Sequence, residues 1–98
     1  MNGIFALSQS IRAEEELDNL LILLNARGEW VPAAPALRWI FEELARTPME
    51  FGESREYLAH LDLHVRVAFV DPFRVKFAAN LPNWQVFIQR WSLDKPRA

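Results

Sequence analysis

The sequence predicts an α+β fold: an N-terminal helical hairpin packed on a small antiparallel β-hairpin or sheet, closed by an aromatic C-terminal segment that reads as helix or strand. Three observations carry this. Apolar residues recur at helical spacing through the first half of the chain, and from Tyr57 to Phe77 they alternate with period two. Turn signals at Asn25–Gly28, Asp71-Pro72 and Asn80–Asn83 divide the chain into elements.

The first helix is expected over residues 10–26. Ser8 or Ser10 can cap it, Glu14, Glu15, Glu16 and Asp18 suit the positive end of its dipole, and Gly28 can take the positive φ that ends it. Ile11, Leu17, Leu20, Leu21 and Leu24 approximate its apolar stripe, widened by Ile22 and Leu23. The loop GEWVPAAP follows, and Pro35 starts a second helix over 35–46, where its missing N–H has no helical partner to lose. Leu37, Ile40, Phe41 and Leu44 form its stripe, and Pro48 ends it. Residues 47–56 read as irregular, with Ser54 able to cap a short helix reaching about residue 61.

The period-two stretch then sets Leu61, Leu63, Val65, Val67 and Phe69 on one face of a strand and His60, Asp62, His64 and Arg66 on the other. Asp71-Pro72 suits positions i and i+1 of a type I turn, after which Phe73, Val75 and Phe77 alternate with Arg74 and Lys76. The segment WQVFIQRWSL is two-valued. Neither face is clean when it is laid out as a strand, whereas a helix capped by Asn83 would align Trp84, Phe87, Ile88 and Trp91, and helix is the reading adopted.

Ninety-eight residues, 51% of them hydrophobic and 24% charged, predict a single domain over 1–98 with frayed ends at 1–9 and 94–98. With no cysteine, thiol catalysis and cysteine-held zinc are excluded, and a reducing cytoplasm is the expected compartment. The longest apolar run, Leu20–Leu24, is far short of the roughly 20 residues of a membrane span, and MNGIFALSQS lacks the basic start of a signal peptide. Charge is uneven. Residues 1–56 carry five Arg against ten acids, −5, and residues 57–98 carry six Lys and Arg against three acids, +3.

His60, Asp62 and His64 are the metal candidates, since two imidazoles and a carboxylate could hold zinc or iron and support a metal-dependent enzyme. Their i, i+2, i+4 spacing suits a ligand set on a strand or a helix, so it is unspecific, and the solvated face of a strand is the simpler reading. No serine sits in a nucleophile-elbow context, and three glycines cannot build a phosphate-cradling loop. No catalytic residue or cofactor is therefore expected. Two helices, a short third and a hairpin match the order of a winged-helix nucleic-acid binder, with Arg66, Arg74 and Lys76 on the wing, but ESREYLAHLDL is a poorly basic recognition helix. The expected function is non-catalytic: a protein–protein interaction module such as a small regulator, inhibitor or assembly factor, binding another protein or itself as a homodimer. Trp84, Trp91, Arg90, Trp39, Arg38 and Trp30 are its partner-binding candidates, because tryptophan and arginine are the residues of interface hot spots.

Overall fold

The computed structural model describes residues 3–93, which run β1 (Ala6–Gln9), α1 (Ile11–Ala26), α2 (Trp30–Arg46), β2 (Glu53–Leu58), β3 (Leu63–Val70), β4 (Phe73–Asn80) and β5 (Gln85–Leu93). The strands form one five-stranded sheet in the order β1-β5-β4-β3-β2, and both helices pack on one of its faces. The class is α+β as expected. The sheet is mixed rather than antiparallel, because β1 lies parallel to β5 while every other pairing is antiparallel.

Helix α1 starts where β1 leaves the sheet. Ser10 caps it, its Oγ accepting the Ala13 N–H at 3.0 Å, and its own N–H still reaches the Ile88 carbonyl of β5 at 3.2 Å. Ala13, Leu17 and Leu24 face the sheet, Leu20 and Leu21 are half-buried, and Ile11 is exposed. Gly28 takes φ 72° just past the end, as a helix stop requires. Helix α2 begins at Trp30, five residues before the expected start. Pro32 falls in the first turn, where its missing N–H costs nothing, and Pro35 forgoes one helical bond. Ala33, Leu37, Ile40 and Leu44 line the buried face at helical spacing, and that burial holds the extra turn.

The core lies between these helices and Phe73, Val75, Phe77, Ala79, Val86, Ile88 and Trp91 of β4 and β5. Phe73 and Phe77 are fully buried, each contributing roughly 1.5–3 kcal/mol of transfer energy. Their rings extend into two aromatic chains, Trp39–Phe51–Phe77 and Phe41–Trp91–Phe73.

Several expectations are corrected. Residues 6–9 are a strand rather than part of a frayed end, because the parallel partner β5 supplies hydrogen bonds that a tetrapeptide could not find alone. The expected frayed tail 94–98 lies outside the described residues. Residues 53–58 form the edge strand β2 rather than the start of a short helix, with an extra residue, Arg55, bulged out between Ser54 and Glu56. The alternating stretch from Tyr57 is interrupted by a turn at residues 59–62, so it is not one strand. Asp71 and Pro72 occupy i+1 and i+2 of their turn, joined by a cis peptide, rather than i and i+1.

Residues 85–93 are a strand rather than a helix. A β-bulge explains why the sequence concealed it: Lys76 pairs with Arg90 but Phe77 pairs with Ile88, so Gln89 is the extra residue. Val86 and Ile88 face the helices, Gln89 shifts the phase by one, and Trp91 and Leu93 face the helices again. Strict alternation counts Trp91 to the wrong face.

Where β1 ends, the continuing edge of β5 is covered by α1. Glu16 accepts the Trp91 N–H at 3.1 Å and the Arg90 Nε at 2.9 and 3.2 Å, and Gln9 accepts the Trp91 Nε1–H at 2.8 Å. A backbone donor left unpaired when buried costs about 1–3 kcal/mol, which is what this carboxylate prevents.

The two positive-φ glycines differ in surroundings. A Cβ on Gly52, at φ 76°, would stand 2.5 Å from the Val67 carbonyl oxygen and 2.9 Å from the Ala68 Cβ, whereas one on Gly28 would meet nothing within 4 Å. Gly28→Ala is expected to cost only the left-handed backbone penalty, about 1–2 kcal/mol. Gly52→Ala adds a steric clash and is expected to cost roughly 2–5 kcal/mol. Parallel urea melts of the two variants check the ordering.

Candidate functional site

The cross-strand register defines the face of the sheet opposite the helices, since residues paired directly across strands share a face. One row crosses it as Glu53–Val67–Lys76–Arg90, the next as Phe69–Arg74–Ser92, and a third as Glu56–Val65–Ala78–Phe87–Ser8. No helix among the described residues covers this face. Val65, Val67 and Ala78 are buried all the same, by their neighbours within the sheet, while Phe69 remains 50% and Phe87 36% exposed.

This inverts an expectation. Leu63, Val65, Val67 and Phe69 were the side of β3 expected to face the core, and they lie on the uncovered side; Ala68 and Val70 face the helices. The reason lies in β4, whose fully buried Phe73, Val75 and Phe77 pair with Val70, Ala68 and Arg66 and fix which side of β3 faces inward. Toward His64 the helical layer gives out. There Arg66 donates from Nε to the Phe51 carbonyl at 3.0 Å and from Nη2 to the Gly52 carbonyl at 2.8 Å, tying down the segment before β2. Arg66 thus stands on the opposite side of the sheet from Arg74 and Lys76.

Arg74, Lys76 and Arg90 gather around a shallow hollow of about 220 Å³, with Val67, Trp91 and Ser92 completing its lining. Lys76 and Arg90 stand directly opposite each other on neighbouring strands, an arrangement of like charges that destabilises a sheet. The Arg74 guanidinium carbon lies 5.2 Å from the centroid of the Phe69 ring. Arg90 is held at its Nε by Glu16, but among the described residues neither Arg74 nor Lys76 forms an ion pair. Alternation along β4 made Arg74 and Lys76 legible as a same-face pair. Arg90 is the one partner-binding candidate from the sequence that joins them; the Gln89 bulge hid its place opposite Lys76, and nothing in the sequence marked Phe87 or Ser92 as part of this face.

The sequence candidates are otherwise dispersed. His60 and Asp62 lie in the 59–62 turn and His64 on β3, so they do not share a strand face. Asp62, at φ 52°, accepts a hydrogen bond from the Tyr57 hydroxyl at 2.9 Å, and the Tyr57 ring stacks on His64 with centroids 4.5 Å apart. Among the described residues no three His, Asp or Glu side chains are grouped to hold a metal ion. Trp91 is buried in the core, Trp30 is half-buried, and Trp39, Arg38 and Trp84 are exposed. Trp39 and Arg38 sit on α2, while Trp84 sits at φ 53° in the 81–84 turn against Phe5, at 4.9 Å. Trp84 and Trp91 therefore do not form one helical face.

Comparison with protein-family models, curated proteins and solved structures finds no match to this chain. Among the described residues no helix is long and apolar enough to cross a membrane.

The Tyr57–Asp62 pair carries a titration prediction. Hydrogen bonding to the carboxylate raises the phenol pKa first, and partial burial and the Asp62 charge raise it further. The bond is present while the phenol is protonated and is lost as pH rises through the raised value. Asp62→Asn, which tolerates the positive φ, is expected to lower the phenolate midpoint toward the ordinary value near 10. Tyr57 is the single tyrosine, so absorbance titration of the two proteins reads it directly.

Proposed function

We propose that this chain is a non-catalytic, cytoplasmic interaction module whose working surface is the uncovered face of the sheet, and that its partner is another protein or a second copy of itself. The observation that supports this most is the pairing of half-exposed Phe69 and Phe87 with the Arg74, Lys76 and Arg90 cluster on one face. Aromatic rings bury a large area for few rotatable bonds and arginine presents a planar fork of donors, and both are enriched in interfaces, which makes such a face suitable for docking. The sheet edge is a poorer surface: β2 presents Glu53, Arg55 and Glu56 and is bulged at Arg55, features that discourage strand addition. Cytoplasmic placement rests on the absence of cysteine from a chain of this size.

Nucleic acid is the second reading, favoured by the same combination of cations and exposed phenylalanines. It would use the sheet face rather than a recognition helix, because the segment that a winged helix would place in a groove is strand β2 and a turn.

Photo-crosslinking in the native host tests the proposal. A benzophenone amino acid is placed at Phe69 or Phe87 on the sheet face, and at Ile22 or Val31 among the exposed apolar residues of the helices. Discrete protein adducts are expected from Phe69 and Phe87, including adducts of the chain with itself if it is a homodimer. Adducts from the helical positions alone, nucleic-acid adducts alone, or none from any position would overturn it.

A further inference from the structure

From the arrangement of Arg74, Lys76 and Arg90 around their hollow we infer a carboxylate-binding site, and that the partner seats an extended acidic segment there, with Asp or Glu at alternate positions.

The geometry supports each part. Arg74 and Lys76 are two residues apart on one face of β4, so their Cα atoms are separated by about 7 Å. Acidic residues at i and i+2 of an extended segment have the same separation, so two carboxylates can meet the two cations in register. Arg90 stands opposite Lys76, roughly 5 Å away between Cα atoms, and supplies a further cation at the hollow. Glu16 fixes Arg90 through its Nε, which positions that guanidinium before any ligand arrives. Ser92, opposite Arg74, adds a hydroxyl to the lining. The two opposed cations repel each other in the free protein, and an anion between them removes that repulsion.

The surroundings select carboxylates on a short segment over a continuous phosphate backbone. The cluster has acidic groups on two sides: Glu53 lies in the same row beyond Val67, and Glu16 lies against Arg90. A polyanion running across the face would meet these carboxylates, whereas two or three charges confined to the Arg74–Lys76–Arg90 corner would not.

The inference rests on the sheet face being the working surface, and the test separates the two. The full chain, labelled with nitrogen-15, is titrated with a capped five-residue peptide alternating Glu and Thr, with its Gln/Thr counterpart, and with an oligothymidylate five nucleotides long. The Glu peptide alone is expected to shift the amides of Arg74, Lys76, Arg90 and Ser92, with affinity falling as salt rises. Arg74→Gln combined with Lys76→Gln is expected to weaken it about tenfold or more while the rest of the spectrum stays unchanged. No shift on this face, equal binding of the Gln peptide, tighter binding of the oligonucleotide, or a face already occupied by a second copy in the free protein would overturn the inference. Protein adducts from Phe69 together with a failed titration would remove the acidic segment and leave the interaction surface standing. Adducts from the helices alone would remove both.

Discussion

The single inserted residue Gln89 determines how the two faces of the sheet are populated. A strand has only two sides, and a one-residue shift exchanges them. Before the bulge, Val86 and Ile88 face the helices; after it, Trp91 does, and Arg90 is set opposite Lys76 on the other side. Without the shift, Arg90 and Ser92 would point into the core and Trp91 out of it. The bulge also lies where β1 has ended, so the freed edge of β5 meets Glu16 of α1 in place of another strand. One carboxylate thereby satisfies the Trp91 N–H, holds Arg90, and fixes α1 on the sheet.

The division of charge along the chain becomes a division in space. The acidic stretch Glu14–Asp18 belongs to α1, behind the sheet, while Arg74, Lys76 and Arg90 stand on its uncovered face. A net charge of −2 therefore says little about what the molecule attracts, because the Glu14–Asp18 acids and the Arg74–Lys76–Arg90 cluster belong to different layers. Uneven charge of this kind orients an approaching partner and selects its sign more than it sets the strength of the final complex.

What could be read from the sequence follows from range. Both helices were legible because capping, periodicity and stop signals are local: Ser10, the Leu17–Leu24 stripe and Gly28 all act within a few residues of each other. The β3–β4 hairpin was legible for the same reason. The misses are non-local. Strand β1 exists because β5, nearly 80 residues later, pairs with it, and no property of ALSQ announces a partner at that distance. Strand β2 is a charged, exposed edge whose composition suggests neither strand face. The inversion of β3 depended on which side of β4 the helices chose, and the phase of β5 on a bulge that is defined only against β4. The candidate site inherits that limit: two of its three cations are neighbours in sequence, and the third is placed by the bulge.

A cation cluster assembled for a ligand carries a cost in the free protein, and that cost distinguishes it from surface charge retained for solubility. Lys76→Glu turns the Lys76–Arg90 opposition into an attractive cross-strand pair, a change of roughly 0.2–1 kcal/mol. Urea denaturation of this variant against the parent measures it directly. The account predicts a midpoint that is unchanged or higher, because the parent holds these charges together against their own repulsion. A midpoint lower by more than about 1 kcal/mol equivalent would contradict it, because Lys76 would then belong to what holds the sheet together.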